Sequence, residues 1–222
     1  MIAYVRMQLR RWLRRTLGIG LLVAAVFLPT FMGILWVVFE GKASTEEARA
    51  FFVRTAALCV LMASGISVVN QLSVVVEEEA RLNRSTLLRV GDLDGFRAVG
   101  AYSLLGLVLA FLHGTVGFVG PAAVGFVAGI PGPAWLAPSA VTTLLLSAFA
   151  PPATLVAFLL PRALGLVLLN GGAFVASVLL ASGPHLSSGR LSAGLLGTVV
   201  LIHAAALVGG GFLWRAKSAS LW

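Results

Sequence analysis

The chain has 222 residues, of which 59% are hydrophobic and only 11% charged, with a mean hydropathy of +1.00. A soluble domain carries about 25% charged residues, so an ordinary soluble fold is excluded, and intrinsic disorder, which needs low hydrophobicity, is excluded with it. The net charge of +8 would suggest nucleic acid in a soluble protein; in a chain this apolar, the positive-inside rule and anionic lipid headgroups account for it, and no nucleic-acid partner is expected.

Residues 2–15 begin the chain as a basic amphipathic segment. On a helix, Ile2, Val5, Leu9, Trp12 and Leu13 share one face, while Arg6, Arg10 and Arg14 recur every four residues with Arg11 and Arg15 beside them. That pattern suits a helix lying in the headgroup layer of the membrane. The Arg10-Arg11 pair imitates a twin-arginine signal, but the apolar run that follows, 17–39, is of full spanning length and no small-residue cleavage site follows it. It is expected to be the first transmembrane helix, kinked at Pro29.

A polar loop, 40–50, leads to a second span over 51–76, with Asn70 and Gln71 near its end. Residues 77–97 are the longest polar stretch and hold nine of the 24 charged residues. The third span is expected over 98–128, which exceeds one crossing and is therefore tilted, broken or partly outside. The tight turn Gly129-Ile130-Pro131-Gly132-Pro133 separates it from a fourth span over 134–160, interrupted by Pro151-Pro152. A minimal break at Pro161-Arg162 precedes a fifth span over 163–181; a reversal at the proline pair instead would leave Arg162 inside a span, which is costly. The sixth span is 191–213. The fold class is thus an all-α polytopic membrane protein of six transmembrane helices, one transmembrane domain over 1–222, plus the interfacial helix and a cytoplasmic helix within 77–97.

With six spans and a cytoplasmic N-terminus, the inner segments hold twelve lysines and arginines and the outer ones four. The asymmetry places both termini in the cytoplasm, and the protein in the cell's inner (plasma) membrane.

No P-loop, metal-ligand cluster or dinucleotide fingerprint occurs, so neither catalysis nor a cofactor is expected. The single Cys59 forms no internal disulfide. His113 and His203 lie in apolar spans, where an ionisable residue is a functional candidate by default and a lone hydrogen-bonded histidine is the plain alternative. A Ser64–His203 nucleophile pair would be the enzyme reading, but no oxyanion motif supports it. Gly125-x-x-x-Gly129 fits the small-residue helix-packing pattern, weakly in a chain with 25 glycines.

The segment 77–97 carries the most information. Glu77, Glu78 and Glu79 precede Arg81, with Leu82, Leu87 and Leu88 interleaved. Such a loop suits docking on a partner by mixed ionic and apolar contacts, although a solvated connector is the alternative. An amphipathic N-terminal helix, two spans and an acidic cytoplasmic helix followed by Ser85-Thr86-Leu87-Leu88 resemble the membrane subunit of type 2 ABC exporters. In size and layout the nearest likeness is to the six-span permease of the cytochrome c maturation haem exporters. The resemblance implies a separate ATP-hydrolysing subunit, a second copy of this chain or a related permease, and membrane lipids as partners. It further implies a coupling helix built on Glu77, Glu78, Glu79, Arg81, Leu82, Leu87 and Leu88. The interfacial helix of Arg6, Arg10, Arg11, Trp12, Arg14 and Arg15 would guide rigid-body motion. Asn70, Gln71, His113, Asn170 and His203 are the polar candidates for the pathway. A membrane scaffold and an ion-coupled carrier are the other two function classes.

Overall fold

A backbone in lipid finds no water to bond, so each spanning segment must close its hydrogen bonds on itself as a helix. The computed structural model, which describes residues 2–13, 16–40, 45–81, 95–160, 162–182 and 192–219, is built accordingly, with no strand among the described residues. Its helices are α1 (Ile2–Leu13), α2 (Thr16–Glu40), α3 (Glu46–Arg81), α4 (Gly95–Gly117), α5 (Val119–Val127), a 3-10 turn (Gly132–Trp135), α6 (Leu136–Ser147), α7 (Ala150–Leu159), α8 (Arg162–Ser182) and α9 (Ala193–Ala219). Among the described residues, five helical stretches are long and apolar enough to cross a membrane: Ile19–Glu40, Glu46–Val76, Val99–Val127, Gly132–Val156 and Ala193–Leu213. The apolar part of α8, Leu164–Leu179, is shorter.

The centre of the bundle is α3, which packs against α2, α4, α6, α7 and α8. Thr45 starts it, its hydroxyl accepting a hydrogen bond from the Ala48 N–H at 3.1 Å, with Glu46 and Glu47 in the first turn where the helix dipole favours them. Because of that cap the helix begins five residues before the apolar run that starts at Phe51. It also runs on past Val76 through Arg81, so 36 residues form one rod of about 54 Å, well beyond a hydrocarbon core of about 30 Å.

Prolines set the breaks in the other long stretches. α4 and α5 are separated at Phe118, three residues before Pro121, and α6 and α7 at Ala148–Phe149, just before Pro151. Each of these prolines falls in the first turn of the new helix, where its missing N–H is tolerated. The third apolar stretch is therefore broken, one of the outcomes its length required. Among the described residues only Pro29 stands in a helix interior, and the carbonyl it deprives is that of buried Ala25. There α4 comes close: a Cβ on Gly117 would lie 3.6 Å from the Ala25 oxygen and 2.9 Å from Val60.

Gly129 ends α5 with φ +86°, and Gly129 N–H and Ile130 N–H reach back to the carbonyls of Phe126 and Gly125 at 3.1 and 2.8 Å. This is a Schellman cap. Gly129 therefore serves a turn, and Gly125 makes room for the Trp135 ring and for Phe52 of α3. Trp36, Phe52, Trp135 and Phe118 stack edge to face around that turn, with centroids 4.8–6.1 Å apart. At the far end of α7, Leu160 leaves the helix in an extended conformation and α8 starts at Arg162. Gly165 packs back beside Val156, so the chain reverses there and not at Pro151-Pro152.

α1 lies against α2 and α4. It buries Val5 and Gln8 and partly buries Leu9, whereas Ile2 is 77% exposed, so its docked face is rotated from the purely apolar face of the sequence pattern.

One close crossing is at Gly106, where a Cβ would overlap the Ala150 side chain and stand 3.1 Å from Leu72. Gly106→Ala is expected to lower thermal stability in detergent by about 1–3 kcal/mol through overpacking. Gly171→Ala, with nothing within 4 Å of its added carbon, should leave the melting temperature unchanged or slightly higher through helix propensity.

Candidate functional site

Polar side chains recur along α3 at helical spacing. Ser64, Ser67 and Gln71 are three and four residues apart and so share a face, while Asn70 points to the neighbouring one. All but Asn70 are buried. In an apolar bundle such groups need partners from other helices, and these have them. Ser64 donates to the carbonyl of His113 on α4 at 3.4 Å. The Ser67 hydroxyl lies 2.8 Å from the Ala63 carbonyl and 3.3 Å from that of Leu21 on α2, and shares one proton between them.

Gln71 meets His113 with Nε2 to Nε2 at 2.9 Å. His113 is fully buried. Two nitrogens at that distance require one donor and one acceptor: Gln71 Nε2 donates to an unprotonated His113 Nε2, or the amide is turned and its oxygen accepts from His113 N–H. In either orientation one polar atom of the Gln71 amide has no partner among the described residues; as placed, it is Oε1.

The other face of α3 makes a reciprocal amide pair. Asn70 Nδ2 donates to Asn170 Oδ1 at 3.3 Å, and Asn170 Nδ2 returns the bond to Asn70 Oδ1 at 3.4 Å. It ties α3 to α8.

His203 stands apart from both pairs. It is partly buried on α9, and its Nε2 is buried with no hydrogen-bond partner among the described residues. Ser64 donates to the His113 carbonyl and not to His203.

The five pathway candidates therefore resolve into two interhelical pairs, Asn70–Asn170 and Gln71–His113, and one isolated residue, His203. The pairs meet on α3, one on each side of adjacent positions 70 and 71. Together they form an uncharged seam of amides, an imidazole and hydroxyls. No group of three or more His, Cys, Asp or Glu side chains able to hold a metal ion occurs among the described residues. Ser67 was not singled out by the sequence; its 3- and 4-residue spacing from Ser64 and Gln71 was the available signal.

Of the docking candidates, Glu77, Glu78, Glu79 and Arg81 form the last turn and a half of α3, and Glu78 is half-buried. Leu82, Leu87 and Leu88 lie outside the described residues, as do Arg14 and Arg15 of the basic segment. Arg6, Arg10 and Arg11 are exposed on α1, and Trp12 lies within that helix.

No family model matches the chain, and neither the curated proteins nor the solved structures contain a match.

Asn70→Ala and Asn170→Ala are each expected to destabilise the bundle. In a double-mutant cycle read by thermal unfolding in detergent, their coupling should be about 0.6 kcal/mol, the size usual for interhelical hydrogen bonds in a membrane.

Proposed function

We propose that this chain is the membrane-spanning permease subunit of an ATP-driven exporter of the type 2 ABC class, working with a separate ATPase and a second permease copy. The observation that carries the reading is the continuity of α3. One unbroken helix joins the acidic turn Glu77–Arg81 to the bundle centre and touches α2, α4, α5, α6, α7 and α8. A chain with no nucleotide motif must take its energy from elsewhere, and a force applied at that end of α3 is delivered directly to Gln71, Asn70 and the helices bonded to them. The partner would grip Glu77, Glu78, Glu79 and Arg81 by charge and the following leucines by apolar contact. ATP-driven closure of the ATPases would then shift the two permeases between inward- and outward-open states. Both termini would be cytoplasmic, six segments would cross the inner membrane with α8 as the fifth, and the cargo would be hydrophobic or amphipathic.

The buried Gln71–His113 contact favours a second reading, an ion- or proton-coupled carrier, since intramembrane ionisable groups mark such pathways.

Purification of the intact complex from membranes tests the first reading. An ABC ATPase should co-purify with the unaltered chain and be lost when Glu78→Ala and Leu87→Asp are combined. Retention of the ATPase after both changes would remove the docking claim. Vesicle uptake driven by a proton or sodium gradient without ATP would favour the carrier, and no transport under either condition would leave a scaffold.

A further inference from the structure

Three helical runs of the bundle each carry a point weakened by proline. A proline ring crowds the carbonyl four residues back and offers it no N–H, so a helix bends or breaks there. Pro29 does this at Ala25 of α2, Pro121 at Gly117 where α4 ends, and Pro151 and Pro152 at Ser147 and Ala148 where α6 ends. At the last point the backbone tightens: Ala148 N–H bonds the Leu145 carbonyl at 3.1 Å and Phe149 N–H the Leu146 carbonyl at 3.2 Å, each three residues back. A short 3-10 stretch inside a longer helical run often marks a hinge.

The three points are far apart in the chain, yet they meet on one stretch of α3. A Cβ on Gly117 would lie 2.9 Å from the Val60 side chain, 3.4 Å from the Ser64 hydroxyl and 3.6 Å from the Ala25 carbonyl oxygen. α2 and α4 therefore reach α3 at the residues their prolines disturb. Gly65, the next residue of α3, lies under the Phe149 ring, where a Cβ would stand 2.9 Å from Cε2. Val60–Gly65 is the middle of the apolar stretch Glu46–Val76, and α3 runs through it unbroken. One continuous rod is thus ringed at mid-depth by the weak points of three helical runs.

The two sides of that ring are held together differently. On the Trp135 side, Trp36 of α2, Phe52 of α3 and Trp135 interlock edge to face, and Phe118 meets Trp135 in the same way. Thr30 of α2 presses on Gly120 of α5, and Val124 of α5 on Gly33 of α2. The second half of α2, the start of α3, α5 and α6 form one interlocked body, and such packing does not deform by degrees. On the Glu77–Arg81 side the contacts are exchangeable. Ser67 reaches the Leu21 carbonyl of α2 at 3.3 Å, Gln71 meets His113 of α4 at 2.9 Å, and Gly106 of α4 abuts Ala150 of α7.

We propose that the bundle flexes at this one level. The body on the Trp135 side stays assembled. The halves of α2, α4 and α7 on the acidic side swing about Ala25–Pro29, Gly117–Phe118 and Ala148–Phe149, so the interior opens toward the acidic end alone. They swing together because Gly117 touches α2 and α3 at once and Gly106 joins α4 to α7. Opening parts the Ser67 and Gln71 contacts, and water admitted there takes over the hydrogen bonds that hydroxyl, amide and imidazole give up. The device belongs to the bundle itself and needs neither an ATPase partner nor a particular cargo.

Hydrogen–deuterium exchange of the full chain in lipid nanodiscs reads such opening as water reaching backbone amides. Amides of 19–28, 105–117 and 150–156 should exchange about tenfold faster than those of 30–38, 119–127 and 136–147. Pro29→Ala, which returns an N–H to α2, should slow all three fast segments together by about threefold or more. Pro151→Ala, acting from α7, should do the same. A disulfide formed by Gly33→Cys and Val124→Cys, in a Cys59→Ala background, has Cβ atoms 3.7 Å apart, a spacing that a disulfide fits. It ties two parts of one body, so it should change the fast segments by less than about twofold. Equal exchange on the two sides of the ring overturns the proposal. So does slowing confined to the substituted helix, or a disulfide that slows the acidic side as much as the proline replacements do. Should one proline variant fail to fold, the other reads the same outcomes.

Discussion

Inside a hydrocarbon layer an unbonded backbone carbonyl has no solvent to turn to, and the arrangement of this bundle follows from that constraint. Four of the prolines, Pro121, Pro138, Pro151 and Pro152, stand in the first turn of a helix, where a missing N–H costs least. The breaks at Phe118 and Ala148–Phe149 are the consequence. Where a deprived carbonyl remains inside the bundle, another helix is drawn to it. α4 brings Gly117 against α2 beside the Ala25 oxygen. The prolines thus fix which helices approach most closely, and the glycines opposite them permit it.

The same scarcity of partners explains the polar seam. A serine or amide in a lipid-facing position would be left without a bond, so Ser64, Ser67 and Gln71 turn toward α2 and α4, and Asn70 toward Asn170 of α8. The hydroxyls cap carbonyls of their own or adjacent helices, a modest interaction. The amides are different, because each fixes the rotation and register of two helices at once. Gln71 sets α4 against α3, and Asn70 sets α8 against α3, from adjacent positions. A rotation of α3 about its axis would strain both pairs together, which makes residues 70–71 the point at which movements of α4 and α8 are coupled through α3.

Much of the span plan was legible because hydropathy reports what lipid selects. The apolar runs starting near Leu17, Ala98, Ala134 and Leu191 each correspond to a long apolar helical stretch. Placing the reversal at Pro161-Arg162 followed from the cost of a buried arginine, and Leu160 does leave the helix there. What hydropathy does not see is helix that continues into water: Glu46–Ala50 and Glu77–Arg81 belong to α3, the first because Thr45 caps it. Nor does it rank α8, whose apolar stretch is shorter than the others. Side-chain partners were hidden by separation along the chain, 42 residues for Gln71–His113 and 100 for Asn70–Asn170. Gln8 shows the same limit at small scale, since a polar residue in an amphipathic pattern reads as exposed until the helix it docks on is known.

Joining the joint to the seam gives the bundle a direction of response. The Phe149 ring lies over Gly65, one residue after Ser64, whose hydroxyl bonds the carbonyl of His113. His113 in turn meets Gln71, two turns further along α3 toward the acidic end. Movement of the Phe149 ring therefore bears on the face of α3 next to the one that holds Ser64, Ser67 and Gln71. Force entering at Glu77–Arg81 reaches that face through an unbroken helix from the opposite end. The two routes meet between Ser64 and Gln71, where the contacts are hydrogen bonds that break and re-form at low cost rather than interlocked apolar side chains. A packed core resists continuous deformation, so the place where this bundle changes shape is the one lined by exchangeable polar partners and glycines.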